Sequence, residues 1–425
     1  MLLSFSVSNF KSFREEQLLN LTADNLKPAF SWLENAAVPV GKEESALRVK
    51  AIYGANASGK SNLLEALRFM QTISLMSAGT PGLLTELESF RFDSSSPGSC
   101  SSFEVIIAVN KKKYRYGIRV DRSMFHEEWL YDETVRKAKI FTRTNQELSI
   151  NKKYFNRPEE LNVLIRGENK LFRKDSSFLS VLRLFDFSSA IQKVITFITS
   201  ISIIGEIESD HIKQQAYRML GNRIMRDKVT TLLNYAGVEP GKLIVIDREA
   251  NKSKDIPADL LAKLTVVPLR YSLASTYGVA DHDGIPVTWL TEQGESRGTL
   301  KMITLAPYII RAIEWGGILV LDEFEAKLHP RLSREIVAMF NSATGNPNNA
   351  QLIFATHDTN LLDHRLLRRD QIDFVEKNQD RTSTVYSLSD VKGTRNVADF
   401  EKDYLGGRYG AVPDVTDFNI AILEE

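Results

Sequence analysis

The sequence is short of several things, and each shortage narrows the field. It contains one cysteine in 425 residues. An intrachain disulfide is therefore excluded, and the count fits a reducing cytosol. Neither sign of charge is in excess, because 54 Lys plus Arg balance 54 Asp plus Glu. A strongly basic chain would have pointed to nucleic acid; this one leaves room only for a local basic patch. No run of about 18 apolar residues occurs, so no helix is expected to cross a membrane. Met1–Phe13 lacks the basic-then-apolar pattern of a secretory leader. His126, His211, His282 and His364 are scattered without metal-ligand spacing. Cys100 sits in a Ser/Gly/Pro-rich stretch from Ser94 to Ser102, which reads as a loop and not as a nucleophile's setting. What remains is ordinary for a globular chain with a core: 43% hydrophobic and 25% charged residues.

Three stretches carry chemistry. Gly54-Ala55-Asn56-Ala57-Ser58-Gly59-Lys60-Ser61 satisfies G-x-x-x-x-G-K-S in full, with an apolar strand before it (Arg48–Tyr53) and a helical pattern after it (Ser61 to about Met76). Such a loop wraps backbone N–H groups around phosphates at a helix N-terminus, and Asn62 continues the helix start. Lys60 supplies a cation for the β- and γ-phosphates, and Ser61 a hydroxyl for Mg²⁺. Ile318-Leu319-Val320-Leu321-Asp322-Glu323 reads as a buried parallel strand ending in two acids. Asp322 falls at the carboxyl edge, where open α/β sheets bind ligands, and would hold Mg²⁺. Glu323 is placed to orient or deprotonate a water. Gln351–Ala355 is a third strand, and His357 just beyond its end can reach a γ-phosphate.

The order of these stretches resembles that of ABC-class ATPases. Asn9-Phe10-Lys11-Ser12-Phe13 looks like the opening of RecF- and SMC-type members, and Leu328-His329-Pro330 is similar to the same group and to OLD-type ATPases. Glu295-Ser296-Arg297-Gly298-Thr299 stands where that class has its signature. It resembles the E-S-x-G-T form of prokaryotic AAA-type, ABC-class ATPases of abortive-infection and phage-defence operons, as does the closing Tyr404–Ala411. The resemblance implies an α/β fold, a P-loop NTPase head of ABC type. It also implies that Ser296 and Gly298 cap the γ-phosphate of a second copy; a helix N-cap is the plainer reading of the same residues. Mg²⁺–ATP and at least a homodimer are thereby implied. No glutamine lies between Gln71 and Gln146, so either Asp93 takes the part of the family's Q-loop residue or the coupling differs.

Along the chain, residues 1–145 and 266–425 read as two lobes of the head, and 146–265 as a compact helical lid inserted between them. His211–Ala236 is the clearest helical stretch of the lid, with Ile212, Ala216, Met219, Leu220 and Ile224 forming a stripe. Strand character is expected again at Leu264–Val267. Asn110–Lys113 reads as a solvated hairpin turn between two strands. Few residues follow Tyr409, so a fused nuclease domain is not expected and an effector would be a separate chain. The leading expectation is a slow ATPase that switches such an effector in phage defence. A RecF-like DNA-binding ATPase, using Lys152, Lys153, Arg157, Arg166, Lys170, Arg173 and Lys174, is the second. A scaffold that binds ATP without hydrolysis is the third.

Overall fold

The computed structural model describes residues 1–159, 161, 172–185, 188–249, 269–280, 282 and 286–413. β1 (Leu2–Ser8) pairs antiparallel with β2 (Gln17–Asn20). The hairpin β3 (Ala37–Pro39) and β4 (Ser45–Leu47) leads into β5 (Val49–Tyr53), all of whose residues are buried. The glycine loop then opens α1 (Lys60–Met76). A meander follows: β6 (Ser101–Val109), β7 (Lys112–Val120), β8 (Phe125–Asp132), β9 (Ala138–Thr144) and β10 (Glu147–Ile150). Asn110 and Lys111 turn β6 into β7 with φ of 50° and 63°. Two left-handed residues are what a two-residue hairpin loop needs to match strand twist.

Next come α2 (Phe178–Leu182), α3 (Ser189–Thr199), β11 (Ile201–Ile204), α4 (Asp210–Leu220), α5 (Arg223–Tyr235) and β12 (Lys242–Asp247). The chain continues through β13 (Tyr271–Ala280), β14 (Pro286–Leu290), α6 (Thr291–Gly294), α7 (Arg297–Trp315) and β15 (Ile318–Leu321). It closes with α8 (Pro330–Asn341), β16 (Gln351–Ala355), β17 (Ile372–Lys377), β18 (Ser383–Ser387) and α9 (Phe400–Leu405).

Two large sheets result. One is antiparallel and seven-stranded, ordered β10-β9-β8-β7-β6-β1-β2; the other is ordered β11-β15-β16-β5-β17-β18. The first five strands of the second are parallel and β18 runs antiparallel to β17. Residues alternate across the central sheet. Ile52, Ile318, Val320, Ile353 and Ala355 face α1 and the antiparallel sheet. Ala51, Tyr53, Leu319, Leu321, Leu352 and Phe354 face α7 and α8. Gln351 joins the two sheets. Its side-chain oxygen accepts from Leu2 N at 2.5 Å, and its amide donates to the carbonyls of Leu2 (2.9 Å) and Leu47 (2.8 Å).

The middle segment is not a helical lid throughout. β10 closes one edge of the antiparallel sheet, and β11 closes one edge of the central sheet. α2 and α3 share a core with α1 through Phe178, Leu179, Val194 and Ile198. A four-residue β-branched strand directly after a helix is invisible to a search for 3.6-residue periodicity. The expected helix His211–Ala236 is two helices broken at Gly221-Asn222. The Asn222 side chain caps the second, accepting from Ile224 N (2.9 Å) and Met225 N (3.2 Å). The break swings Ile224 off the stripe, leaving it 66% exposed. The strand expected at Leu264–Val267 lies outside the described residues. No helix among the described residues is long and apolar enough to cross a membrane.

Candidate functional site

The phosphate-loop motif leaves β5 and ends at Gly59, which caps α1 at φ 114° with no side-chain cap and no acid in the first helical turn. The helix N–H groups and the positive end of its dipole are therefore left for an anion. Glycine is required at 59 for a second reason. A Cβ there would lie 2.5 Å from Ser383 Oγ and 2.8 Å from Ser12 Oγ. Ala57 takes a left-handed φ of 58°, and Ser58 Oγ is buried without a hydrogen-bond partner among the described residues. The Lys60 ammonium donates to the carbonyls of Gly54 (2.8 Å) and Ala55 (3.0 Å). Burial pushes its pKa down, while Asp322, Glu325 and Glu323 pull it back up. Asn62 is occupied in holding the chain's opening turn, donating to Ser12 Oγ at 2.8 Å.

Asp322 and Glu323 follow β15. Glu323 has φ 47°, a left-handed conformation that is costly for a side chain of its size. Lys301, in α7 and 6% exposed, holds this turn from below. Its ammonium donates to the carbonyls of Glu323 (3.0 Å), Phe324 (3.0 Å) and Ala326 (2.7 Å). Burial, opposed by Glu325 and Glu323, lowers its pKa to about 8. Glu325 ties the acidic turn to the histidine loop, accepting from the Thr356 hydroxyl (2.6 Å) and His357 N (2.8 Å). Burial, followed by the charge of Lys60, pushes the His357 pKa below its usual value, against the pull of Glu325, Glu323 and Asp322. A neutral imidazole at pH 7 follows. Glu325 and Lys301 escaped the sequence reading. The only hints were a third acid four positions into Asp322–Glu325 and a lysine on the apolar stripe of α7.

Asn56–Asn62, Asp322, Glu323 and His357 all line one cleft of about 790 Å³, with Gly54 and Ala55 behind it bonded to Lys60. Lys11, Phe92, Lys377 and Arg381 also line this cleft. Ser296 and Gly298 do not line it. They open onto a separate cavity of about 960 Å³ beside Lys327, His329 and Glu335. Ser296 is the N-cap of α7, its Oγ accepting from Thr299 N at 3.1 Å. Glu295 is engaged by Tyr277 and by Trp289 Nε1 at 3.3 Å. His329 caps α8 through Nδ1, which accepts from Arg331 N at 3.2 Å, with Pro330 at the first helical position. That is a local reason for the Leu-His-Pro motif.

Asp93, the one candidate for the Q-loop part, does not line the cleft, and neither does Gln71. Gln71 donates to the carbonyls of Ile198 (2.7 Å) and Ile201 (2.8 Å), fastening α1 to β11. Asp93 accepts from the backbone and hydroxyls of Ser95 and Ser96, and those bonds hold its pKa low. Among the basic residues, Arg173 turns inward to the carbonyls of Ser77 (2.7 Å) and Ala78 (3.0 Å), and Lys152 pairs with Glu159 at 2.6 Å. Arg166 and Lys170 lie outside the described residues. The tail is also structural. Tyr404 stacks on Phe374 (5.4 Å, 18°) and its hydroxyl donates to Ala411 O at 3.1 Å.

A buried parallel strand, a glycine loop, a helix and an acidic neighbouring strand end define a P-loop NTPase of mixed α/β fold. The family described as "AAA domain, putative AbiEii toxin, Type IV TA system" matches residues 50–363, and the chain belongs to it. No curated protein matches the chain. Among solved structures, it is similar to an SMC head bound to the C-terminal winged-helix domain of ScpA, at 14% identity, covering 92% of this chain and 99% of that one, with a TM-score of 0.45. The SMC head domain from Thermotoga maritima is similar at 14% identity, 91% and 98% coverage and a TM-score of 0.39. An SMC head with an extended coiled coil, bound to the C-terminal domain of ScpA derived from Pyrococcus furiosus, gives 13%, 91% and 96%, and 0.39.

Proposed function

We propose that the chain binds Mg²⁺–ATP in this cleft, hydrolyses it slowly, and uses it to close two copies head to head as a switch for a separate effector in phage defence. The observation that carries the reading is the meeting, in one cleft, of the phosphate loop, the acid pair and His357 from three adjacent parallel strands. An uncapped, acid-free helix N-terminus and the Lys60 ammonium suit phosphates. Ser61 and Asp322 are hard oxygen donors of the kind magnesium takes. The metal would neutralise charge on the phosphates. Glu323 would orient or deprotonate the attacking water, and His357 would hydrogen-bond the terminal phosphate. Ser296 and Gly298 line a cavity separate from the cleft of their own loop, which supports a second copy as the one whose phosphate they cap. The family's toxin and toxin–antitoxin description supports the defence role.

Light scattering of the wild type and Glu323→Gln, with and without Mg²⁺–ATP, tests this alongside phosphate release. Doubled mass in the variant with phosphate release abolished is the expected result. One unchanged mass and no hydrolysis in either protein overturns the switch.

A further inference from the structure

We propose that Phe92 and Arg381 form the platform on which the nucleobase stacks, which makes the cleft selective for purine nucleotides; this rests on the nucleotide reading of the same site. Both residues line the cleft that holds the phosphate loop. Phe92 is 58% exposed, unusual for a ring in a polar cleft, and the Arg381 guanidinium lies 5.1 Å from its centroid. A cation over one face leaves the opposite face for a second flat group.

The pair is held in place before any ligand arrives. The ring meets the fully buried Phe90 edge-on at 5.7 Å, and Phe90 N donates to the buried Asn9 side chain at 3.2 Å. Immediately after the ring, the Asp93 carboxylate gathers the backbone N–H groups of Ser95 (2.9 Å) and Ser96 (2.6 Å) and so fixes the turn. Arg381 sits at φ 67° in the β17–β18 turn, its N–H donating to Asn378 O at 2.9 Å. Asp380 beside it pairs with Arg14 at 3.1 Å. An aromatic ring held in place beforehand costs little further ordering when it stacks a ligand. Purines stack more strongly than pyrimidines because they offer more π surface, and stacking alone does not separate adenine from guanine.

The test is competition binding of ATP, GTP, CTP and inorganic tripolyphosphate, each with Mg²⁺, to the wild type, Phe92→Ala, Phe92→Trp and Lys60→Ala. The wild type is expected to bind ATP and GTP more tightly than CTP, and equal affinity for all three overturns the purine selectivity. Phe92→Ala is expected to weaken ATP and GTP by roughly 10-fold, CTP by less, and leave tripolyphosphate unchanged. Phe92→Trp should retain wild-type affinity. Lys60→Ala should lose all the ligands alike. Wild-type affinity for ATP in Phe92→Ala, or an equal loss of ATP and tripolyphosphate, overturns the platform and leaves the nucleotide reading standing. A wild type that binds ATP no better than Lys60→Ala overturns both.

Discussion

Replacing Lys301 with methionine removes one ammonium while keeping a stem of nearly the same volume. Three carbonyls lose their donor, those of Glu323, Phe324 and Ala326, at 3.0, 3.0 and 2.7 Å. Glu323 O keeps a partner in Ala326 N at 3.1 Å. A hydrogen bond to a charged group is worth about 1.5–3 kcal/mol net. The cost of burying the ammonium, visible in its pKa near 8, offsets much of the sum. A net destabilisation of about 2–4 kcal/mol remains, or roughly 2–5 °C in Tm for a chain of 425 residues. The same change frees a left-handed Glu323 to relax, and a small displacement of a reacting group costs on the order of 10-fold or more in rate. We therefore expect kcat for ATP to fall at least about 10-fold, with ATP affinity little changed because Lys301 does not line the cleft.

The pH dependence has a definite sign. The folded protein sheds this proton near pH 8, whereas an unfolded lysine holds it to 10.5. Across that window the unfolded state binds more protons, so wild-type stability rises with pH relative to the methionine variant. Scanning calorimetry between pH 7 and 10 with parallel turnover assays measures both effects. A variant melting within about 1 °C of wild type, with unchanged kcat, would refute the role given to Lys301.

Gly59→Ala should abolish ATP binding in equilibrium titration, because φ 114° and a Cβ 2.5 Å from Ser383 Oγ force the loop open. Gln351→Leu strands three backbone groups between the two sheets. It should cost about 3 kcal/mol in denaturant unfolding, with ATP affinity per folded molecule preserved. Glu325→Ala unfastens Thr356 and His357 N. It should lower kcat roughly 10-fold with little change in KM, and Glu325→Gln should recover part of the loss.

Much of this architecture is legible in the sequence because it is local. The strand–loop–helix around Gly54–Ser61, the Asp322 strand end and the strand before His357 each announce themselves within about ten residues. Helix and strand boundaries there fall within two residues of expectation, as at β5, α1 and Gln351–Ala355. What was hidden is what depends on distant partners. Ile201–Ile204 becomes a central-sheet strand only because Ile318–Leu321 lies beside it. Arg173 looks like a surface cation until the carbonyls of Ser77 and Ala78 are seen to take it. Lys301 and Glu325 carry no spacing signal, since their partners lie in other turns. Phe92 and Arg381, 289 positions apart in number, meet only in the folded cleft.

The strand order also sets when the site can exist during synthesis. The meander β6–β10 pairs neighbours in sequence and can close as it emerges, whereas β5 must wait for β16 and β17, some 300 residues later. Long-range parallel pairing is slow, and the cost of closing such loops falls before any contact offsets it. A ribosome-bound chain that has exposed its complete phosphate loop still lacks the walls of the cleft. Nucleotide capture therefore belongs to the end of folding. A chain truncated before β16 would carry the whole glycine motif, α1 and the antiparallel sheet, and present an apolar β5 to chaperones instead of a binding site.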